Sequence, residues 1–276
     1  MYLYLNNELT TEQAANISVL DHGYLYGVGL FETFRTYQGC PFLLTEHLTR
    51  LSQACKDIGI EWEADEPKLR RQISILLERN NLQDGYFRLN VSAGPAPIGL
   101  RTAPYTEETE TLLVKALPPK AKDKRCQTVS LRRNTPEGYQ RFKSHHYLNN
   151  ILAKRQVAPD AEGIMLTHDG SVAEGIVSNI FFVKDGVLHT PHVQTGILNG
   201  ITRQWVLQAA QDLGLRVEEG HYSLSSAQAS EEVFITNAIQ EILPVSQWDE
   251  VSYSLDRRVT TSLQEAYQRQ IEQNIN

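Results

Sequence analysis

Apolar and polar positions recur in two rhythms along this chain, and the change from one to the other marks its elements. Tyr2 to Leu5, followed by Asn6-Asn7, reads as a strand and tight turn. From Leu44 to Ile58 the apolar residues Leu44, Leu48, Leu51, Cys55 and Ile58 return every three or four places, which predicts one face of an amphipathic helix stopped by Gly59. A helix from Glu66 to Asn80 and a strand from Tyr86 to Ser92 follow. Ala93 to Gly99 carries two prolines and two glycines and is a loop. Leu112 to Ala116 is a strand.

Leu117-Pro118-Pro119-Lys120-Ala121-Lys122-Asp123-Lys124 breaks both rhythms. Its prolines stiffen it and its charges solvate it, so the domain boundary is expected at residues 118–124, between a domain of residues 1–117 and one of residues 125–276. Beyond it, Gln127 to Leu131 and Gly163 to Thr167 are strands. Leu148, Ile151, Leu152 and Val157 recur at roughly helical spacing and predict a half-buried helix from Tyr147 to Ala158. Asn179 to Val183, the turn Asp185-Gly186 and Val187 to Thr190 form a hairpin. Gly200 to Leu213 is a helix with Ile201, Trp205, Ala209 and Leu213 on one face. Strands near Arg216 to Glu219 and Glu232 to Thr236 and a helix from Ser254 to Ile271 complete the chain. Strands with helices inserted, without regular βαβ alternation, predict an α+β fold.

Composition narrows the function. The 276 residues suffice for two cores, and a net charge of −7 argues against a nucleic-acid surface. A small-molecule partner is expected. Cys40, Cys55 and Cys126 lie too far apart for a short metal or redox motif, so no metal site is expected and the thiols suit a reducing compartment. No apolar run approaches the roughly 20 residues that cross a bilayer, and the first residues turn polar too soon for a signal peptide; the expected location is the cytoplasm.

The candidate chemistry starts at Lys143, in Arg141-Phe142-Lys143-Ser144-His145-His146-Tyr147-Leu148-Asn149-Asn150. A lysine at the edge of packed structure can lose its proton through desolvation and attack carbonyl carbon. Glu174 lies in a small-residue bend before an apolar strand; a fixed carboxylate there could keep a heteroaromatic nitrogen protonated. Thr195 to Arg203 begins a helix, a well-made N-terminus in its own right whose first-turn N–H groups could also receive a phosphate, and the polar turn after Phe234-Ile235-Thr236 could complete the cup. An amine for an aldehyde, an acid for a ring nitrogen, and amides with an arginine for a phosphate match the needs of pyridoxal 5'-phosphate.

His22-Gly23-Tyr24-Leu25-Tyr26-Gly27, Phe31-Glu32-Thr33-Phe34-Arg35, the helix from His47 to Arg50, Lys143 with Leu148-Asn149-Asn150, Glu174-Gly175 with Ser178-Asn179, and Gly196-Ile197-Leu198 with Gly200-Ile201-Thr202-Arg203 together resemble the fold type IV pyridoxal-phosphate enzymes (aminotransferase class IV) over nearly the whole length. The resemblance implies a smaller N-terminal α/β domain, a larger C-terminal domain with a barrel-like sheet that carries the catalytic lysine, and a homodimer with the cofactor between the domains. It also implies that Lys143 holds the cofactor covalently and moves protons and that Glu174 pairs with the pyridine nitrogen. Arg50, the amides of Ile201, Thr202 and Ala238, and the side chain of Asn237 would then bind the phosphate.

Arg132-Arg133-Asn134-Thr135-Pro136-Glu137-Gly138, the lysine stretch and Thr236-Asn237-Ala238-Ile239-Gln240-Glu241-Ile242 are most similar, within that family, to the bacterial aminodeoxychorismate lyases. That implies elimination of pyruvate from 4-amino-4-deoxychorismate to give 4-aminobenzoate for folate. A D-amino acid or branched-chain transaminase is the alternative on the same scaffold. Arg35, Arg88 and Arg101 are candidates for the substrate carboxylates, and His146 and Tyr147 for the cofactor's phenolic oxygen.

Overall fold

A computed structural model describes residues 1–254 and 256–275. The described residues divide into two compact units, one made of residues 1–118 with Phe142–His146, Asn274 and Ile275, the other of Pro119–Arg141 and Tyr147–Gln273.

In the first unit β1 (Tyr2–Leu5) and β2 (Glu8–Thr11) form a hairpin, α1 (His22–Tyr26) is a short capped helix, and β3 (Gly29–Tyr37) is the longest strand. Then come β4 (Cys40–Pro41), α2 (Leu44–Asp57), α3 (Glu66–Arg79), β5 (Gly85–Ser92) and β6 (Thr109–Ala116). The sheet order is β2-β1-β6-β5-β3-β4, antiparallel wherever strands pair. The predicted stripe of α2 is where the core forms: Leu44, Leu48, Leu51 and Cys55 are buried against Leu30, Phe34, Phe87 and Leu89. Phe34 and Phe87 are cross-strand partners with rings stacked 5.5 Å apart, an arrangement that adds about 0.5–1.5 kcal/mol to their area burial. α3 starts where Asp65 accepts the Lys68 N–H at 2.9 Å, a side-chain cap for an otherwise unpaired amide. The segment from Asp21, which reads in the sequence as a bent loop, contains α1, because Asp21 Oδ1 accepts the Gly23 amide at 2.7 Å.

The second unit holds β7 (Lys124–Thr128), α4 (Leu148–Lys154), β8 (Glu162–Leu166), β9 (Val172–Gly175), β10 (Asn179–Lys184) and β11 (Val187–Pro191). It continues with α5 (Ile201–Asp212), β12 (Val217–Gly220), α6 (Leu224–Gln228), β13 (Glu232–Asn237), β14 (Glu241–Trp248), β15 (Val251–Ser252) and α7 (Arg258–Ile275), of which Asn274 and Ile275 are grouped with the first unit. Leu255, inside the helix expected from Ser254, lies outside the described residues. The sheet order is β12-β11-β10-β13-β14-β7-β8-β9, with β15 on β14. β9 also packs against β10 and β11, so the sheet curls back on itself as the barrel-like expectation required. β8, β10 and β13 are buried along nearly their whole length, as apolar runs in a sheet covered on both faces should be. The mixed architecture bears out the α+β expectation.

Three readings of pattern need correction. β14 has no counterpart among the predicted elements, because its polar start at Glu241 reads as turn; it is a strand because Asn237 pairs with Glu241 and the ladder continues to Phe234 and Pro244. On α5 the buried face is Ile201, Thr202, Arg203, Val206, Ala209 and Ala210, while Leu213 is exposed. On α4, Leu148, Ile151 and Leu152 are exposed and Asn150 and Ala153 are buried, since Asn150 is drawn inward by hydrogen bonds to Arg133 and the Ile176 carbonyl.

Candidate active site

Lys143 precedes α4, as expected, but it is not part of the helix. Phe142–His146 runs as an extended segment against β3: the Phe31 N–H donates to the Lys143 carbonyl at 2.9 Å and the His145 N–H to the Gly29 carbonyl at 2.9 Å. Here β3 is not covered by β4, which pairs only with Thr36 and Tyr37, and the segment satisfies backbone groups that an edge would leave open. These bonds are why the lysine, expected in the C-terminal domain, is grouped with the N-terminal unit.

Phe31 gathers charge. Lys143 Nζ lies 4.7 Å from its ring centroid and the Arg88 guanidinium 3.5 Å, a cation–π setting for both. The His145 ring stacks on the same phenyl at 6.4 Å. Burial lowers the His145 pKa to about 4, with the Arg88 charge pushing the same way, so the imidazole beside the lysine is neutral.

The next residue of β3, Glu32, faces α2. Arg50 donates Nε–H to Glu32 Oε1 at 2.7 Å and Nη2–H to Oε2 at 2.6 Å, and His47 Nδ1 lies 2.7 Å from Oε2. Burial works to raise the Glu32 pKa, but the charges and hydrogen bonds of Arg50 and His47 outweigh it and bring it to about 2. His47 shifts down, first through burial; Glu32 opposes this, while Arg50 and Lys143 add to it. Arg50 is thus held as a fork in one orientation. The sequence reading gives Glu32 no role of its own, because a carboxylate between aromatic residues carries no signal of the distant arginine it will meet.

The other arginine candidates are scattered. Arg88 bonds Asn90 through Nε at 2.8 Å, the Arg35 guanidinium sits 4.4 Å from the Tyr37 ring centroid, and Arg101 turns back on its own loop to the Pro104 carbonyl. His146 Nε2 is 3.1 Å from the Tyr26 carbonyl. Tyr147 is the N-cap of α4.

In the second unit Glu174 lies on β9, 4% exposed. Its Oε1 accepts from Arg133 Nε at 2.8 Å; its Oε2 accepts from the Leu198 N–H at 3.0 Å and Asn179 Nδ2 at 3.3 Å. Arg141 Nε is 3.8 Å from Oε1. Burial lowers the Arg141 pKa to about 10, with Arg133 adding and Glu174 and Glu137 opposing. Arg133 Nη1 is held in turn by Asn149 Oδ1 at 2.9 Å, Asn134 Oδ1 at 3.1 Å and Asn150 Oδ1 at 3.3 Å. The residues that set this stretch apart in the sequence are therefore the cage of the Glu174 partner. Sequence reasoning assigns no separate role to Arg133, Arg141 or Asn179.

A second buried carboxylate supports the bend after β9. Glu162 Oε1 accepts the Val177 N–H at 2.9 Å and the Ser178 hydroxyl at 2.8 Å. Burial pushes its pKa up against these two bonds. Gly175 is required there, because a Cβ would collide with Ser178 Oγ and Glu162 Oε1.

Ile201 and Thr202 open α5, whose N-cap, Gly200, supplies no side-chain cap. First-turn amides have no partner within a helix and carry its positive end. Thr202 Oγ1 is buried without a hydrogen-bond partner among the described residues. Asn237 spends its Oδ1 on the Ile239 and Gln240 amides at 3.0 and 2.8 Å; it shapes the turn that contains Ala238. Among the described residues no group of three or more metal-ligating side chains occurs.

Comparison with known proteins gives this arrangement a lineage. The chain is 42% identical to the aminodeoxychorismate lyase of Bacillus subtilis (strain 168), over 99% of this chain and 96% of that protein. It is 32% identical to the D-alanine aminotransferase of Bacillus licheniformis, over 90% of this chain and 89% of the relative. Its fold matches the branched-chain aminotransferase of the thermophilic archaeon Thermoproteus uzoniensis with norvaline, with a TM-score of 0.88 and 28% identity over 99% of this chain and 95% of that one. A model of amino-transferase class IV matches residues 29–248. With a half-buried lysine against β3, a caged buried carboxylate on β9 and an uncapped α5 in place, the chain belongs to the amino-transferase class IV family.

Proposed function

We propose that this protein eliminates pyruvate from 4-amino-4-deoxychorismate to give 4-aminobenzoate for folate, using pyridoxal 5'-phosphate. The observation that carries this reading is the 42% identity, along 99% of the chain, to an aminodeoxychorismate lyase. The donor set suits the cofactor. The buried Glu174 carboxylate, fixed by Arg133 and the Leu198 amide, offers an anionic acceptor for a protonated ring nitrogen, and α5 amides beside a partnerless buried Thr202 hydroxyl match a phosphate. In this reading Lys143 anchors the cofactor, Glu174 meets its ring nitrogen, and Arg50, Ile201, Thr202, Asn237 and Ala238 hold its phosphate.

When bound, the cofactor supplies an aldehyde for the substrate amine and a ring that takes up the electrons of the broken C–H bond. Lys143 Nζ removes the proton from the ring carbon bearing the amine. The C–O bond to the enolpyruvyl group then breaks and the carbocycle becomes aromatic. The same nitrogen, now protonated, returns a proton to the leaving enol, which becomes pyruvate. Glu174, fixed by Arg133 and the Leu198 amide, keeps its carboxylate in one orientation throughout. Arg35, Arg88 and Arg101 are the candidates for the substrate carboxylates, and Arg88, beside Lys143 on Phe31, has the strongest support.

The working form in this reading is a homodimer in the cytoplasm. Val19, Tyr24, Ile98 and Leu100 on the first unit are exposed, as are Leu148 and Ile151 on α4 of the second, and each set is apolar surface suited to a second copy. The three cysteines are free, and no helix among the described residues is long and apolar enough to cross a membrane.

Incubating the purified, cofactor-loaded protein with 4-amino-4-deoxychorismate tests the activity. The expected result is 4-aminobenzoate and pyruvate in equal amounts. No 4-aminobenzoate, with turnover of D-alanine and 2-oxoglutarate, would overturn the lyase reading in favour of a transaminase. Light scattering at working concentration should give twice the mass of one chain.

A further inference from the structure

Two threonine hydroxyls in the second unit are buried with no hydrogen-bond partner among the described residues, Thr202 Oγ1 and Thr236 Oγ1, each in a residue 2% exposed. A hydroxyl taken out of water without a partner is unfavourable, so such a pair in one region points to a ligand. Thr202 lies in the first turn of α5. Thr236 lies far along the chain, on β13, and its relation to α5 follows from register.

Thr236 is the cross-strand partner of Asn179 on β10, and opposed residues of an antiparallel pair project from the same face with Cβ atoms about 5 Å apart. Asn179 in turn lies against the N-cap of α5: a Cβ on Gly200 would strike Asn179 Oδ1, and Asn179 Nδ2 donates to the Leu198 carbonyl at 2.8 Å. α5 packs on β13. The positive end of α5, the Thr202 hydroxyl and the Thr236 hydroxyl are therefore drawn to one place through Asn179. Glu174, the nearby carboxylate that Asn179 also touches, has Arg133 and Arg141 beside it.

We infer that Thr236 Oγ1 is a further phosphate donor, acting with the first turn of α5, for the cofactor. The inference rests on the cofactor reading above and adds to it a strand residue to which no role had been assigned. An isosteric Thr236→Val replacement should separate ligand binding from folding. It removes a donor that the phosphate uses and that the protein alone does not use.

The test is titration of cofactor-depleted protein with pyridoxal 5'-phosphate and with pyridoxal, which lacks the phosphate, beside thermal melts of the ligand-free form. For Thr236→Val the expected result is a Kd for pyridoxal 5'-phosphate raised about tenfold, a Kd for pyridoxal within about twofold of wild type, and an unchanged or higher Tm. Thr236→Ser should restore the affinity. An unchanged Kd for pyridoxal 5'-phosphate, an equal loss for both compounds, or a lower ligand-free Tm in the valine variant would overturn the inference. If wild type binds no pyridoxal 5'-phosphate, the cofactor reading itself fails. If wild type binds it and forms 4-aminobenzoate while Thr236→Val matches wild type, only the role of Thr236 fails.

Discussion

Arg133 and Glu174 form an ion pair with Nε to Oε1 at 2.8 Å and side chains only 7% and 5% exposed. A buried pair of this kind is a weak source of net stability, but losing one member strands the other charge. Arg133→Gln is expected to lower unfolding stability by about 3–5 kcal/mol in urea melts. Arg133→Gln with Glu174→Gln should cost clearly less than the sum of the two single changes. Additive costs would show that the two side chains do not act as a pair.

Lys143 is held through its backbone, so its side chain can be removed without unpairing the segment from β3. Lys143→Ala should keep the wild-type far-ultraviolet circular dichroism and lose at least about 10³-fold in turnover. Borohydride treatment of the loaded wild type should label Lys143 and no other lysine. Labelling elsewhere would move the covalent anchor.

Glu32 supports Arg50 and should make the fold sensitive to acid. Its folded pKa, about 2, lies below the ordinary value of 4.5, so the stability it contributes is present above pH 4.5 and is lost as pH falls toward 2. The shift corresponds to about 3 kcal/mol. Glu32→Gln should start less stable at pH 7 and lose less than wild type between pH 4.5 and 2. Parallel losses in that window would be evidence against the assignment.

His145 should act in a different window. With a folded pKa near 4 against 6.5, it lets the unfolded chain bind the extra proton between those values, and stability drains as pH falls from 6.5 to 4. His145→Gln should flatten that slope in equilibrium unfolding. If the slope is unchanged, the imidazole is not held neutral against Phe31.

Much of the architecture is legible in the chain alone. The apolar stripe of α2, the helix from Glu66 and the β10–β11 hairpin follow from periods of about 3.6 and 2 and from local turn chemistry, which act over a few residues. Lys143 and Glu174 stand out as candidates because few residue types suit carbonyl capture and nitrogen pairing, whereas Arg50 is marked only by the family resemblance. Which partners fix them is a matter of packing. Arg133 reaches Glu174 over 41 positions of sequence, Phe142–His146 completes the edge of β3, and Asn150 turns the apolar side of α4 outward. Thr236 is set opposite Asn179 by a strand register. Periodicity records which side of an element is apolar; it does not record which distant donor will meet which acceptor, because that depends on register and packing, to which every element contributes at once.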